Sequence, residues 1–204
     1  MEVSKLTEMS NLVLEAVELA SDIVMEIYNS GDLKVEDKHD GSPVTIADKK
    51  CHEILFNHLK SIDANIPILS EEGHTEENKE DLFWLIDPLD GTKEFINKNG
   101  EFTVNVALIE DGMPILGVVS APAVNETFIG FAGRAFKIQG KEKIEITSQK
   151  QSEEFCLVTV SKSHKSEKDQ AFINLCEKKF TEVKELPTGS SLKLCRVAEG
   201  KANI

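Results

Sequence analysis

The chain has 204 residues, of which 40% are hydrophobic and 29% charged, and its formal net charge is −13. That length can bury a sizeable core as one domain or two small interdependent ones, and the composition is that of a globular protein. The acidic balance repels a polyanion and argues against nucleic acid as a partner, and no apolar run approaches the roughly 18 residues of a membrane span.

Leu6, Met9, Val13, Val17, Ala20, Val24 and Ile27 recur every three or four residues, which predicts a long amphipathic first helix ended by Gly31. Leu33 to Lys38 alternates like a short strand, and Gly41-Ser42-Pro43 reads as a turn. Thr45 has the chemistry of an N-cap, with Asp48 in the first turn of a helix whose apolar positions include Cys51, Ile54, Leu55 and Leu59. Ile66 to Leu69 predicts a brief strand running into Ser70-Glu71-Glu72-Gly73, followed by a polar loop from His74 to Asp81. Leu82 to Ile86 predicts a second strand that delivers Asp87 at its end. Thr103 to Glu110 and Ile115 to Ser120 pair across the Asp111-Gly112 turn, and Thr127 to Phe131 and Ala135 to Ile138 add short strands. Gln139 to Glu154 is polar and reads as a boundary or linker. Beyond it come a strand (Phe155 to Val160), a helix (Ser166 to Lys178), a strand (Thr181 to Glu185) and a glycine-serine turn into a last helix that Ser190 could cap. This order predicts an α+β fold: an antiparallel sheet flanked by long helices over residues 1–145, then a smaller α/β lobe over 146–204.

Asp87-Pro88-Leu89-Asp90-Gly91-Thr92 concentrates chemistry. Two carboxylates confined in one turn repel unless protonated or bridged by a cation, and Mg²⁺ takes oxygen ligands of this kind, including a carbonyl such as that of Leu89. Gly91 permits close backbone approach, and a helical turn starting there would aim free N–H groups at a phosphate. Glu71 at another strand end and Asp48 at a helix start bring the acids to four. The four cysteines, Cys51, Cys156, Cys176 and Cys195, form no CxxC pair and read as reduced bystanders; His39, His52, His58 and His74 lack metal-ligand spacing.

These motifs resemble the magnesium-dependent, lithium-sensitive phosphomonoesterases of the inositol monophosphatase superfamily. The wider set is similar to the 3′(2′),5′-bisphosphate nucleotidases of the CysQ type: Lys93-Glu94-Phe95, the run from Asn99 to Ile109, Gly117-Val118-Val119 with Ala121-Pro122, Val160-Ser161-Lys162-Ser163-His164 and Gly189-Ser190-Ser191-Leu192-Lys193. The resemblance implies a layered α/β/α/β sugar-phosphatase fold and hydrolysis of adenosine 3′,5′-bisphosphate to AMP and phosphate. It implies that Glu71, Asp87 and the Leu89 carbonyl hold one Mg²⁺, that Asp87 and Asp90 share a second, and that Glu71 orients water around a third, weaker ion. Asp48 and Thr92 would activate the attacking water, while Glu71, Leu89, Asp90, Gly91 and Thr92 surround the scissile phosphate. Ser161, His164, Ser190 and Lys193 would lie near the nucleotide or its second phosphate.

The family's further metal-binding aspartate, in a tryptophan-aspartate segment near the C-terminus, has no counterpart here, and Lys201-Ala202-Asn203-Ile204 reads like the start of a strand. The expectation is a chain shortened at that end, with an incomplete second lobe. Two alternatives stand beside the nucleotidase: an inositol or sugar monophosphatase on the same platform, disfavoured by Lys93-Glu94, and an inactive metal- or phosphate-binding fragment. An N-terminus carrying Glu2, Lys5 and Glu8 lacks a signal peptide's layout, so the expected compartment is the cytoplasm. The resemblance leaves room for a homodimer and for peripheral attachment at the cytoplasmic side of the inner membrane, though no basic patch supports the latter.

Overall fold

Helix α1 (Val3–Ser30) buries the predicted apolar stripe and ends on Gly31, whose φ of 78° is the left-handed cap that glycine takes without strain. The computed structural model describes residues 1–37, 41–72, 81–148, 154–162 and 166–204. A two-stranded ribbon follows, β1 (Glu36–Asp37) with β2 (Pro43–Val44). It corrects the expected strand from Leu33 to Lys38, in which this pair is the strand among the described residues, Lys38 lying outside them, and it places Pro43 in a strand rather than a turn. Helix α2 (Ile46–Ile62) starts at Thr45, whose hydroxyl accepts the Ala47 N–H at 3.1 Å while the Asp48 carboxylate accepts the Thr45 N–H at 2.7 Å. This reciprocal capping box is why residues 45–48 nucleate a helix, and it immobilises Asp48.

Among the described residues seven strands form one sheet in chain order: β3 (Ile68–Ser70), β4 (Leu82–Asp90), β5 (Thr103–Glu110), β6 (Met113–Ala121), β7 (Glu126–Phe131), β8 (Arg134–Gln139) and β9 (Glu142–Ile146). All neighbours are antiparallel except β3 and β4, which are parallel, so the sheet is mixed rather than purely antiparallel. Strand β4 does not stop at Asp87 but continues to Asp90, with a shift of register between those residues. The polar stretch after Gln139 is not simply a linker, because β9 lies within it; Glu142, Lys143 and Glu145 are exposed there, the charge pattern of a protected edge. Within the hairpin, Asp111 and Gly112 take φ of 51° and 73°, the left-handed pair of a tight β-turn.

Alternation along β6 divides the sheet's two faces. Leu116 and Val118 join α1 and α2 in the main core with Trp84, Ile86, Val104 and Val106, while Ala121 and Val119 meet the last helix on the other face. Short helix α3 (Thr92–Ile96) is pinned to the main core by Phe95, whose ring centroid lies 5.2 Å from that of Tyr28 and 5.0 Å from that of Phe102.

Strand β10 (Phe155–Ser161), helix α4 (Glu167–Lys179) and parallel strand β11 (Glu182–Thr188) build a separate small core from Cys156, Val158, Val160, Ile173, Cys176 and Phe180. Asn203 and Ile204 run beside β10, the Ile204 carbonyl accepting the Thr159 N–H at 2.6 Å. Helix α5 (Leu192–Ala198) then crosses to the large sheet, where Leu192 and Cys195 pack on Ala121 and Phe128. Four alternating charges fasten it: Lys137 to Glu126 at 2.5 Å and to Glu199 at 2.9 Å, and Arg196 to Glu126 at 2.7 Å and to Glu199 at 2.5 Å. Among the described residues no helix is long and apolar enough to cross a membrane.

Candidate active site

The four acids singled out in the sequence come from three elements, α2, β3 and β4, that meet at one place. Parallel pairing of β3 with β4, continued by the Glu71 N–H donating to the Ile86 carbonyl at 3.2 Å, sets Glu71 beside Asp87. The bulge in β4 turns Asp87 and Asp90 out of simple alternation. The α2 capping box presents Asp48, whose second oxygen accepts the Thr92 hydroxyl from the start of α3 at 3.3 Å. That hydroxyl also lies 3.2 Å from the Leu89 carbonyl. Asp48 and Thr92 therefore form a pair held by two helix starts, 44 residues apart in sequence.

Electrostatics mark the same spot. Asp87 is pushed up to about 8 by burial first, then by the nearby charges of Glu71 and Asp90. Its Oδ1 is buried with no hydrogen-bond partner among the described residues. Burial also raises Asp48, against the lowering hydrogen bonds from Thr45. The Cys51 thiol, packed beneath, is raised far above its ordinary value by burial and then by Asp48 and Asp87, which makes it an inert core group. All four cysteines are free and buried.

A buried carboxylate oxygen without a donor, crowded by two further carboxylates, is a place that a cation satisfies. Among the described residues no three Asp, Glu, His or Cys side chains close on one point. The donor set is instead one or two carboxylates and a carbonyl, which fits Mg²⁺, an ion that retains several waters, better than zinc.

A cavity of about 530 Å³ opens over this floor, and Glu71, Asp90, Gly91, Thr92, Ser161, Ser190 and Lys193 line it together with Lys93. Asp48, Asp87 and Leu89 lie beneath rather than on its wall. His164 falls outside the described residues, as do His39, His74 and all but Asp81 of the polar loop expected from His74 to Asp81. His52 meets Ser70 at 2.8 Å, and Ser70 in turn accepts the Glu72 N–H at 3.2 Å, a support for the Glu71 turn that spacing did not reveal. A second, larger cavity of about 620 Å³ lies against the sheet, but its wall is apolar save for Arg134, and none of the acids reaches it.

The far wall is the turn from Gly189 to Ser191. Ser191, not Ser190, is the N-cap of α5; Ser190 sits at φ 50°, and its carbonyl accepts the Lys193 ammonium at 2.7 Å. Gly189 donates to Glu101 Oε2 at 2.8 Å, and Lys162 pairs with the other oxygen of Glu101 at 3.2 Å. A Cβ on Gly189 would stand 2.7 Å from the Glu101 carbonyl and 2.9 Å from its Cβ. Gly189→Ala must therefore push the turn before α5 away from Glu101 at the cavity. We expect a loss of about 1–3 kcal/mol, as for other overpacked sites, read by calorimetry as ~2–4 °C per kcal/mol for a chain of this size. An unchanged melting temperature would contradict this close approach.

With the geometry in place, comparison with known proteins is informative. The sequence profile described as "Inositol monophosphatase family" matches residues 5–204. The chain belongs to the inositol monophosphatase family. Enzymes of this family are metal-dependent phosphatases, in agreement with the cation-seeking floor. The chain is 40% identical over 203 residues to the 3′(2′),5′-bisphosphate nucleotidase CysQ of Escherichia coli O157:H7, covering 96% of this chain and 79% of that one. It is 39% identical over 207 residues to the protein of the same name from Buchnera aphidicola, covering 97% and 74%. Among solved structures, CysQ from Bacteroides thetaiotaomicron superposes with a TM-score of 0.83 at 32% identity, over 96% of this chain and 78% of that one. The Thermotoga maritima IMPase follows with 0.79 at 26% identity, over 96% and 74%. The fold is that of the inositol monophosphatases, as the sequence resemblance implied.

Proposed function

We propose that the protein is a Mg²⁺-dependent phosphomonoesterase that converts adenosine 3′,5′-bisphosphate and water into AMP and inorganic phosphate. The observation that carries this reading is the Asp48–Thr92 pair standing beside the unpartnered Asp87 oxygen, beneath a nucleotide-sized cavity. The likeness to nucleotidases over nearly the whole chain supports the substrate.

Glu71, Asp87 and the Leu89 carbonyl would hold one magnesium ion, and Asp87 and Asp90 would share a second, so that neither ion draws on more than two carboxylates. When bound, magnesium supplies Lewis-acid polarisation of phosphate oxygens and makes hydroxide available near neutral pH. The remaining work falls to the chain. Thr92 donates its proton to Asp48 and so presents its oxygen lone pairs to an attacking water, fixing that water's orientation. Asp48, raised by burial, is suited to receive the proton passed through Thr92 Oγ1. The Gly91 and Thr92 N–H groups, at the start of α3, face the phosphate. Lys93 and Lys193 contribute positive charge to an otherwise acidic cavity, Ser161 and Ser190 contribute hydroxyls, and together they favour a substrate with a second phosphate.

Phosphate release from adenosine 3′,5′-bisphosphate and from inositol 1-phosphate, each with Mg²⁺ and with EDTA, tests the proposal. Mg²⁺-dependent release from the nucleotide, faster by at least about tenfold in kcat/KM than from the inositol ester, is expected. Each tenfold corresponds to about 1.4 kcal/mol of differential transition-state binding. Preference for the inositol ester would transfer the chain to the monophosphatase reading; release unaffected by EDTA would remove the metal.

A further inference from the structure

Resting on the metal reading above, we propose that Ser191 is a positioning residue that fixes the Asp90 carboxylate and selects which of its oxygens is left for a cation. Ser191 was not among the residues expected to carry function; its neighbours Ser190 and Lys193 were.

The geometry is specific. Asp90 Oδ2 accepts the Ser191 N–H at 2.6 Å and the Ser191 hydroxyl at 2.5 Å. The Thr103 hydroxyl reaches the same oxygen at 3.5 Å. All three donors converge on Oδ2, so the rotation of the carboxylate is set and Oδ1 is the oxygen left for other partners. The direction of the Ser191 proton is itself fixed from behind. Asn105 Nδ2, a group that only donates, lies 3.1 Å from Ser191 Oγ, so Ser191 must accept there and give its own proton to Asp90.

This arrangement spans the two lobes. Asp90 belongs to the bulged end of β4, whereas Ser191 stands between β11 and α5, in the turn that Glu101 clamps through the Gly189 N–H. Ser190 packs against Gly91, where an added Cβ would stand 3.3 Å from Ser190 Cβ. Any displacement of that turn is therefore transmitted to a carboxylate on the opposite wall. Outer groups that hydrogen-bond a metal ligand typically change metal affinity by about 10–100-fold when removed. Since Ser191→Ala retains the backbone N–H, the lower end applies.

The test is binding of Mn²⁺ alone to the metal-free protein, followed by the electron-spin-resonance signal of free Mn²⁺, in wild type, Ser191→Ala, Ser191→Thr and Asp90→Asn. Ser191→Ala should weaken binding about tenfold; Ser191→Thr, which keeps the hydroxyl, should restore it to within about threefold. The Mg²⁺ concentration for half-maximal phosphatase activity should move in parallel while the substrate KM at saturating Mg²⁺ stays put, a split that general loosening of the fold would not give. Weakened binding in Asp90→Asn with unchanged binding in Ser191→Ala would overturn the positioning role and leave the metal reading intact. Unchanged binding in both would overturn the metal assignment of Asp90 and the inference with it.

Discussion

Asp87→Asn should abolish phosphate release and, at the same time, raise the melting temperature of the metal-free protein. The two effects have one origin. Asp87 is held in a part-buried position beside Glu71 and Asp90, and its Oδ1 has no hydrogen-bond partner among the described residues. Without a cation that carboxylate is a cost to the fold; on the proposed reading a cation would make it a ligand. The isosteric amide removes the charge, relieving the repulsion and losing the ligand together. If the bound ion provides about 4 kcal/mol of transition-state stabilisation, kcat should fall roughly 10³-fold. The pH dependence follows from the direction of the shift. Asp87 is raised in the folded state from an ordinary 3.8 to about 8 by burial, then Glu71, then Asp90. Between those values the native protein binds a proton that the unfolded chain releases, so this group's contribution to stability is fully present at the acidic side, declines as pH rises, and is gone above about 8. Calorimetry on metal-free wild type should show the melting temperature falling between about pH 5 and about pH 9, with a smaller fall in Asp87→Asn. Mg²⁺ should restore most of the loss at the alkaline end in wild type only. An Asp87→Asn protein that melts lower than wild type at alkaline pH, or that keeps its activity, would remove Asp87 from this role.

What could be read from sequence was local. The α1 stripe, the Thr45–Asp48 cap and the Asp111-Gly112 turn each lie within a few residues or follow a simple period, and the structure reproduces them. The acids Asp48, Glu71, Asp87 and Asp90 stand out as candidates because each lies at a strand end or a helix start with its own backbone chemistry, whereas Thr92 enters only through the family resemblance. Pro88 suggested that β4 stops at Asp87, but the shift of register between Asp87 and Asp90 removes the need for its missing N–H, so the strand runs on. Strand β9 was hidden by charge, since an edge strand carries on its exposed face the residues that also make a linker. Long-range pairings had no signal at all: Ser191 meets Asp90 across 101 residues, and Arg196 meets Glu126 across 70. Both choose polar partners that look like surface residues until the fold brings them together.

The charge cluster that holds the last of these pairings has a large expected effect of its own, through its other cation, Lys137. Lys137→Met should cost about 3 kcal/mol, toward the lower end of what breaking a buried ion pair costs, because Arg196 still bonds to both glutamates. That is roughly 6–12 °C in melting temperature for a chain of this length. Lys137 is 8% exposed, and its ammonium is the donor between Glu126 on β7 and Glu199 at the end of α5. Burial opposes ionisation of Glu126, but hydrogen bonds from Lys137 and Arg196 outweigh it and hold the carboxyl below its ordinary value; in Glu199 the Arg196 bond ranks before that of Lys137. Lowered folded-state values mean that this stabilisation is present above the ordinary carboxylate range and is lost as pH falls through the lowered ones. Lys137→Met should accordingly lose less, relative to wild type, at strongly acidic pH than at neutrality. Replacing Glu126 as well, in Lys137→Met/Glu126→Leu, should recover part of the loss, since apolar substitutes for a whole buried pair are often neutral. The consequence for function runs through α5, whose N-cap is Ser191. A helix loosened at Glu199 loosens the group that holds Asp90, so the variant should need more Mg²⁺ for half-maximal activity at temperatures well below its melting point. A variant that melts lower yet keeps the wild-type Mg²⁺ requirement would show that the charges fasten α5 without bearing on the site.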